Sequence, residues 1–172
     1  DEMYVQPIHG KGVRVIWLKG ETDMLGALEE VESFAEFAKR NNAVASTDVK
    51  SFEHLVCTEQ LSRRLGFKVG EELIRVVRVR SLNGSARQVD HGYFLESIAK
   101  GLTPEVAEKS IYDYLEHKRG VKVMASRRTV SVELANDEDC SYLDLGKYNC
   151  VAVMESQSYT SDGILFEVTH AR

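Results

Sequence analysis

The run Glu72-Leu73-Ile74-Arg75-Val76-Val77-Arg78-Val79-Arg80 constrains this chain more than any other segment. Branched residues dominate it, and it holds none of the Gly, Pro, Asn or Asp that interrupt strands. Asn83-Gly84 follows, a pair suited to a tight hairpin turn, and residues 86–94 read as the returning strand. An isolated two-stranded ribbon is marginal in water, so this hairpin must belong to a larger sheet with a covered face.

The rest of the sequence supplies that sheet. Residues 48–58 suit another strand followed by a cap at Thr58 and residues 121–134 a long strand, while 150–158 and 164–171 form a last hairpin around Ser161-Asp162-Gly163. Helices fall between them. Residues 24–40 are helical, with a fresh start at the capping box Ser33-Phe34-Ala35-Glu36. Residues 59–65 form a short helix stopped by Gly66. Thr103-Pro104 opens another, Ser110 starts one that ends at Gly120, and Asn136-Asp137-Glu138-Asp139 caps a last one reaching Leu145. Hairpins and helices interleave without repeated βαβ units, so the expected class is α+β, a mostly antiparallel sheet flanked by helices.

The first twenty residues stand apart. Residues 4–8 and 13–16, joined through His9-Gly10-Lys11-Gly12, read as a separate hairpin with a Gly-rich tip. The expected organisation is this hairpin and a linker over residues 1–20, then one domain over 21–172, which at 43% hydrophobic content can bury a core of its own.

Composition and motifs narrow the function. A formal net charge of −5 argues against this chain by itself binding nucleic acid, which needs a basic surface. Cys57, Cys140 and Cys150 are scattered, with no CxxC pair, and fit reduced thiols of a cytoplasmic protein. The histidines are isolated, so no metal site is expected, and no apolar run reaches the length of a membrane span. Asp1 and Glu2 stand where a signal peptide carries positive charge. No GxSxG, P-loop, HExxH or GxGxxG occurs, so neither an enzyme nor a cofactor is expected.

Candidate chemistry concentrates on the arginine strand. Strand side chains alternate, so Arg78 and Arg80 share a face about 7 Å apart, a spacing that lets two guanidiniums straddle a phosphate or carboxylate. On spacing alone two readings stand: an anion clamp, or edge arginines in surface ion pairs. The turn decides what joins them. A two-residue loop, Asn83-Gly84, sets Asp90 opposite Val77 on the other face, whereas a three-residue loop, Leu82-Asn83-Gly84, pairs Asp90 with Val76 and places it beside the arginines. The three-residue loop is preferred because it builds one coherent polar pocket. The helix starts after Ser33 and Ser110 offer free N–H groups, though each serine also reads as a plain cap. Glu167, set between Phe166 and Val168, is either solvent-facing or a pocket acceptor. Arg127-Arg128 reads as a solvated strand patch, and Tyr112 with Tyr114 as part of a packed helix.

These segments together resemble the HutC-like branch of the GntR transcription regulators and their UTRA effector domain, from about residue 34 to residue 172. The resemblance rests on Ser33-Phe34-Ala35-Glu36, Arg78-x-Arg80, Asp90-His91-Gly92-Tyr93-Phe94, Leu102-Thr103-Pro104-Glu105, Ser110-Ile111-Tyr112-Asp113-Tyr114 and Glu167-x-Thr169-x-x-Arg172. The segments around Tyr93, Ser110 and Asp144-Leu145 look most like trehalose-operon repressors. The resemblance implies a chorismate-lyase-like fold, a homodimer, and a pocket for a phosphorylated sugar, with trehalose 6-phosphate one candidate. By motif position it assigns Arg78, Arg80, Ser110 and Tyr112 to the phosphate, with backbone donors at Phe34 and Ala35, and Asp90 and Glu167 to sugar hydroxyls. Ala35 stands where some members carry a hydroxyl, and Asp90 where others carry Glu. The N-terminal hairpin resembles the wing of the family's winged helix-turn-helix, with Gly10, Lys11 and Gly12 meeting operator DNA. The three helices that precede that wing in the family do not occur here, so a trimmed repressor is expected. Rival readings on the same fold are a sensor of a non-phosphorylated organic acid, a chorismate-lyase-like enzyme, and a dimerisation module without ligand.

Overall fold

The computed structural model describes residues 5–8, 12–15 and 34–172. Strands β1 (Val5–Ile8) and β2 (Gly12–Val15) pair antiparallel as a two-stranded ribbon, Val5 opposite Val15 and Ile8 opposite Gly12. Ser33, Gly10, Lys11 and the helix expected over residues 24–33 lie outside the described residues.

The main sheet has six antiparallel strands. They are β3 (Ala45–Val56), β4 (Glu72–Leu82), β5 (Ser85–Leu95), β6 (Val123–Leu134), β7 (Cys150–Thr160) and β8 (Leu165–Ala171), in the spatial order β3-β4-β5-β8-β7-β6. The helices are α1 (Phe34–Arg40), α2 (Glu59–Leu65), α3 (Pro104–Ala107), α4 (Ile111–Arg119) and α5 (Asp137–Tyr142). The expected α+β class with an antiparallel sheet is what the chain forms.

Caps set the helix ends where the sequence placed them. Thr58 Oγ1 accepts from the Leu61 amide to open α2, and Gly66 closes it at φ +89°, a left-handed conformation costly for residues with a Cβ. Ser110 Oγ accepts from the Asp113 amide to open α4. Asn136 and Asp139 form a reciprocal capping box at α5. That last helix stops at Tyr142 rather than Leu145, because Leu143 turns extended and drops into the core.

The β4–β5 hairpin corrects the expected register. The loop is the two-residue Asn83-Gly84, both at positive φ, with Leu82 opposite Ser85. Asp144 pins it, its Oδ2 accepting from Ser85 Oγ and from the Ala86 amide, each at 2.9 Å. The ladder then slips by one residue: Ser81 faces Ala86, Arg80 faces Gln88, and Arg87 has no cross-strand partner. This bulge moves Asp90 directly opposite Arg78. Neither expected register, Val77 nor Val76, occurs. Asp90 still reaches the arginine face, by a bulge rather than by a longer loop.

The core falls into two clusters, the larger of which draws on both faces of the sheet. Leu65, Phe67, Leu73, Ile74, Phe94, Ile111, Leu115 and Phe166 join in the larger core, which ties α2 and α4 to the sheet. Val77, Val79, Val89, Val151 and Val153 pack with Leu143 on the face away from Arg78. Each such fully buried side chain stabilises the fold by roughly 1.5–3 kcal/mol. Gly92 lies between Asp90 and Phe94, and a Cβ there would meet the Phe94 ring at 2.7 Å.

Candidate ligand-binding site

Register across the sheet builds the floor of one cavity. In one row Arg78 of β4 faces Asp90 of β5, and Asp90 faces Ala171 of β8. In the next, Val76, Gly92, Thr169, Ser156 and Arg128 follow one another from β4 to β6. In a third, Ile74, Phe94, Glu167, Ser158 and Ser126 do the same. These residues alternate onto a single face. The start of α1 and the start of α4 complete the walls of a cavity of about 570 Å³. All eight residues expected to bind ligand line it: Phe34, Ala35, Arg78, Arg80, Asp90, Ser110, Tyr112 and Glu167.

Charges inside it are tightly arranged. Asp90 is fully buried, and its Oδ2 accepts from Arg78 at 2.6 Å and from Arg80 at 2.6 and 3.1 Å. Its other oxygen, Oδ1, has no protein donor, and neither does Arg78 Nε have an acceptor. Burial would raise the Asp90 carboxyl, but Arg80 and Arg78 outweigh it and hold it below its ordinary value. Burial, with Arg80 alongside, brings Arg78 down to about 10, so it stays cationic at neutral pH. The Phe34 ring lies 5.1 Å from the Arg80 guanidinium, linking α1 to the clamp. Arg78 and Arg80 are therefore not solvent-facing ion pairs of a sheet edge; one is buried and both project into the cavity.

A second polar group sits beside them. Glu167 is only 6% exposed, which settles its two readings in favour of the pocket. Tyr112 donates a short hydrogen bond to its Oε2, Thr169 Oγ1 donates to its Oε1 at 3.1 Å, and Ser158 Oγ lies 3.1 Å from the Tyr112 hydroxyl. Burial, reinforced by Asp90, raises the Glu167 carboxyl despite the Tyr112 bond and Arg78. Burial and Glu167 together push the Tyr112 phenol well above its ordinary value. Tyr112 is thus part of the cavity as well as of α4, not merely packed. Ser110 caps α4 and lines the cavity at once.

The sequence reading missed Arg128, Ser126, Ser156, Thr169, Thr47 and Gln88, all cavity-lining. Arg127-Arg128 was expected to be one solvated patch, but alternation splits the pair: Arg127 is exposed and Arg128 faces the cavity. Period two with Ser126 was the available signal; which face it meant depended on pairing with β7. Among the described residues no His, Cys, Asp and Glu cluster has the arrangement of a metal site, and no helix is long and apolar enough to cross a membrane. Cys57, Cys140 and Cys150 are free thiols.

This six-stranded antiparallel sheet with its helices matches the fold of effector domains of GntR-family transcriptional regulators. The chain belongs to the UTRA domain family, whose model matches residues 40–172. It is 28% identical over 169 residues to the HTH-type transcriptional regulator TreR of Bacillus subtilis (strain 168), across 98% of this chain and 70% of that protein. It is 23% identical over 146 residues to the HTH-type transcriptional repressor NagR of the same organism, across 85% of this chain and 59% of that protein. The chain therefore spans less than two thirds of the NagR length. Among solved structures, YydK of Bacillus subtilis matches at a TM-score of 0.73 and 22% identity, over 98% of this chain and 71% of that one. The effector binding domain of the B. subtilis trehalose repressor TreR matches at a TM-score of 0.66 and 28% identity, over 74% of this chain and 88% of that one. The fold is the chorismate-lyase-like one expected, and the relatives are regulators rather than lyases.

Proposed function

We propose that this domain senses a phosphorylated sugar and thereby changes the affinity of its regulator for operator DNA. The observation that carries the reading is the pair of guanidiniums of Arg78 and Arg80, fixed on one strand by a carboxylate that leaves them cationic inside a cavity. Arg78, Arg80, Arg128 and Lys109 line that cavity against Asp90, Glu108 and Glu167, and burial raises Glu167 toward its neutral form. The excess positive charge suits a phosphate monoester, which carries about −1.5 to −2 at neutral pH. The phosphate sits on Arg78, Arg80, Ser110 and Tyr112, with backbone donors at Phe34 and Ala35, and Asp90 and Glu167 accept from sugar hydroxyls. The TreR relative is named a trehalose repressor, which makes trehalose 6-phosphate the first compound to try.

The regulator acts as a homodimer. Residues 1–20 supply the wing of a winged helix-turn-helix and a linker, with Gly10, Lys11 and Gly12 at the DNA, and residues 21–172 sense. Half-sites on DNA demand a fixed separation of two heads, so a ligand that favours one head geometry changes operator affinity. The test is a thermal-shift screen of paired sugars and sugar phosphates. Stabilisation by the phosphorylated member of a pair, lost in Arg78→Ala, is the expected result. Equal stabilisation by plain organic acids, unaffected by Arg78→Ala, overturns it.

A further inference from the structure

We propose that Arg128, on the β6 side of the cavity, forms a hydroxyl-reading subsite together with Glu167, which lies between it and the Arg78–Arg80 clamp, and that it selects phosphate monoesters whose other end bears neighbouring hydroxyls. This rests on the reading of the cavity as a sugar-phosphate site and deepens it.

Placement is the first argument. Arg78 and Arg128 share one face of the sheet but stand on β4 and β6, with β5, β8 and β7 between them. At the usual strand spacing their backbones are roughly 19 Å apart along the sheet. An anion seated on both Arg78 and Arg80 lies on the β4 side, which leaves Arg128 to meet a different part of the ligand.

The chemistry around Arg128 is the second argument. Its row and the next present Ser156, Thr169, Ser158 and Ser126, hydroxyls that both donate and accept. Glu167 reaches the same region through Tyr112 and Thr169, and the Arg128 charge acts on the Tyr112 hydroxyl. A guanidinium only donates and the Glu167 carboxyl accepts, so within one cavity the two suit a ligand whose several hydroxyls each give one hydrogen bond and take another. The cavity is accordingly polarised, an anion end on β4 and a diol end on β6 to β8.

Isothermal titration calorimetry separates the ends. The probes are trehalose 6-phosphate, glucose 6-phosphate and n-butyl phosphate, a monoester without hydroxyls on its chain, titrated into wild type, Arg128→Met, Arg128→Lys and Arg78→Ala. Arg128→Met keeps most of the aliphatic stem, and thermal midpoints confirm folding. The expected result is a roughly 10- to 100-fold loss for whichever sugar phosphate binds wild type in Arg128→Met, with n-butyl phosphate held within about twofold. Arg128→Lys recovers part of the loss, and Arg78→Ala weakens every probe. Equal weakening of n-butyl phosphate in Arg128→Met, or an unchanged sugar phosphate, overturns the subsite while leaving the sensor reading intact. Binding by no probe to wild type, or insensitivity of all of them to Arg78→Ala, sinks the sensor reading itself and the subsite with it.

Discussion

Arg78 stands directly across the β4–β5 ladder from Asp90, its Nη2 2.6 Å from a carboxylate oxygen that also takes two bonds from Arg80. Both partners are buried, so neither charge has water to fall back on. Asp90→Ala would leave two guanidiniums side by side in a dry wall. Breaking such a pair by removing one partner costs about 3–5 kcal/mol. Urea unfolding of Asp90→Ala should show that loss, and a change below about 1 kcal/mol would mean the arginines swing out to solvent.

Acid should test two carboxylates together. Asp90 and Asp139 are both buried, and in each the penalty of burial is outweighed by arginines, Arg80 and Arg78 for one and Arg172 for the other. Both folded-state values lie below the ordinary 3.8. Their contribution to stability is therefore fully present above that value and is lost as pH falls through the depressed ones. Urea midpoints between neutral pH and pH 3 should fall steeply at the acid end. Asp139→Asn, which also breaks the bonds to Arg172, should begin less stable and show a shallower acid slope.

Glu167 should behave in the opposite sense. Its carboxyl is raised, so the folded state holds a proton that the unfolded chain gives up at about 4.5. Stability then declines as pH rises from that value through the folded one. Glu167→Gln keeps the shape without the charge. It should be at least as stable as wild type at neutral pH and flatter across that window, while losing affinity for the sugar phosphate. A variant that is less stable at neutral pH would show that the Tyr112 bond outweighs the cost of the buried carboxylate.

Gly92 gives a packing test. It sits on the cavity face between Asp90 and Phe94, and an added Cβ would lie 2.7 Å from the buried Phe94 ring. Gly92→Ala should lose about 1–3 kcal/mol by overpacking. Thermal unfolding would register it, and an unchanged midpoint would mean the ring moves aside without cost.

Much of the frame was legible because its signals are local. Thr58, Ser110 and Asn136 cap the helices they were expected to cap, since a cap is decided within four residues. The Arg78-x-Arg80 alternation fixed a shared face for the same reason. What escaped depended on contacts distant in sequence. Glu167 reads by its strand alone more readily as solvent-facing, until β8 is known to lie between β5 and β7. Arg128 looks like half of a charged patch until Ser156 and Thr169 are set beside it. The bulge at Arg87 is invisible in a sequence whose Asn83-Gly84 turn suggests an unbroken ladder.

That bulge yields the last test. Without the slip at Arg87, the observed Asn83-Gly84 turn would place Asp90 opposite Val77, on the wrong face. Deleting Arg87 alone removes the unpaired residue and leaves Ser81 facing Ala86 and Arg80 facing Gln88, so Asp90 stays opposite Arg78. The shortened strand should fold with its turn still held by Asp144, which bonds Ser85 and Ala86 rather than Arg87. Sugar-phosphate stabilisation in a thermal-shift assay should persist in the deletion. Its disappearance in a folded variant would show that the twist introduced by the bulge, and not pairing alone, aims the two guanidiniums.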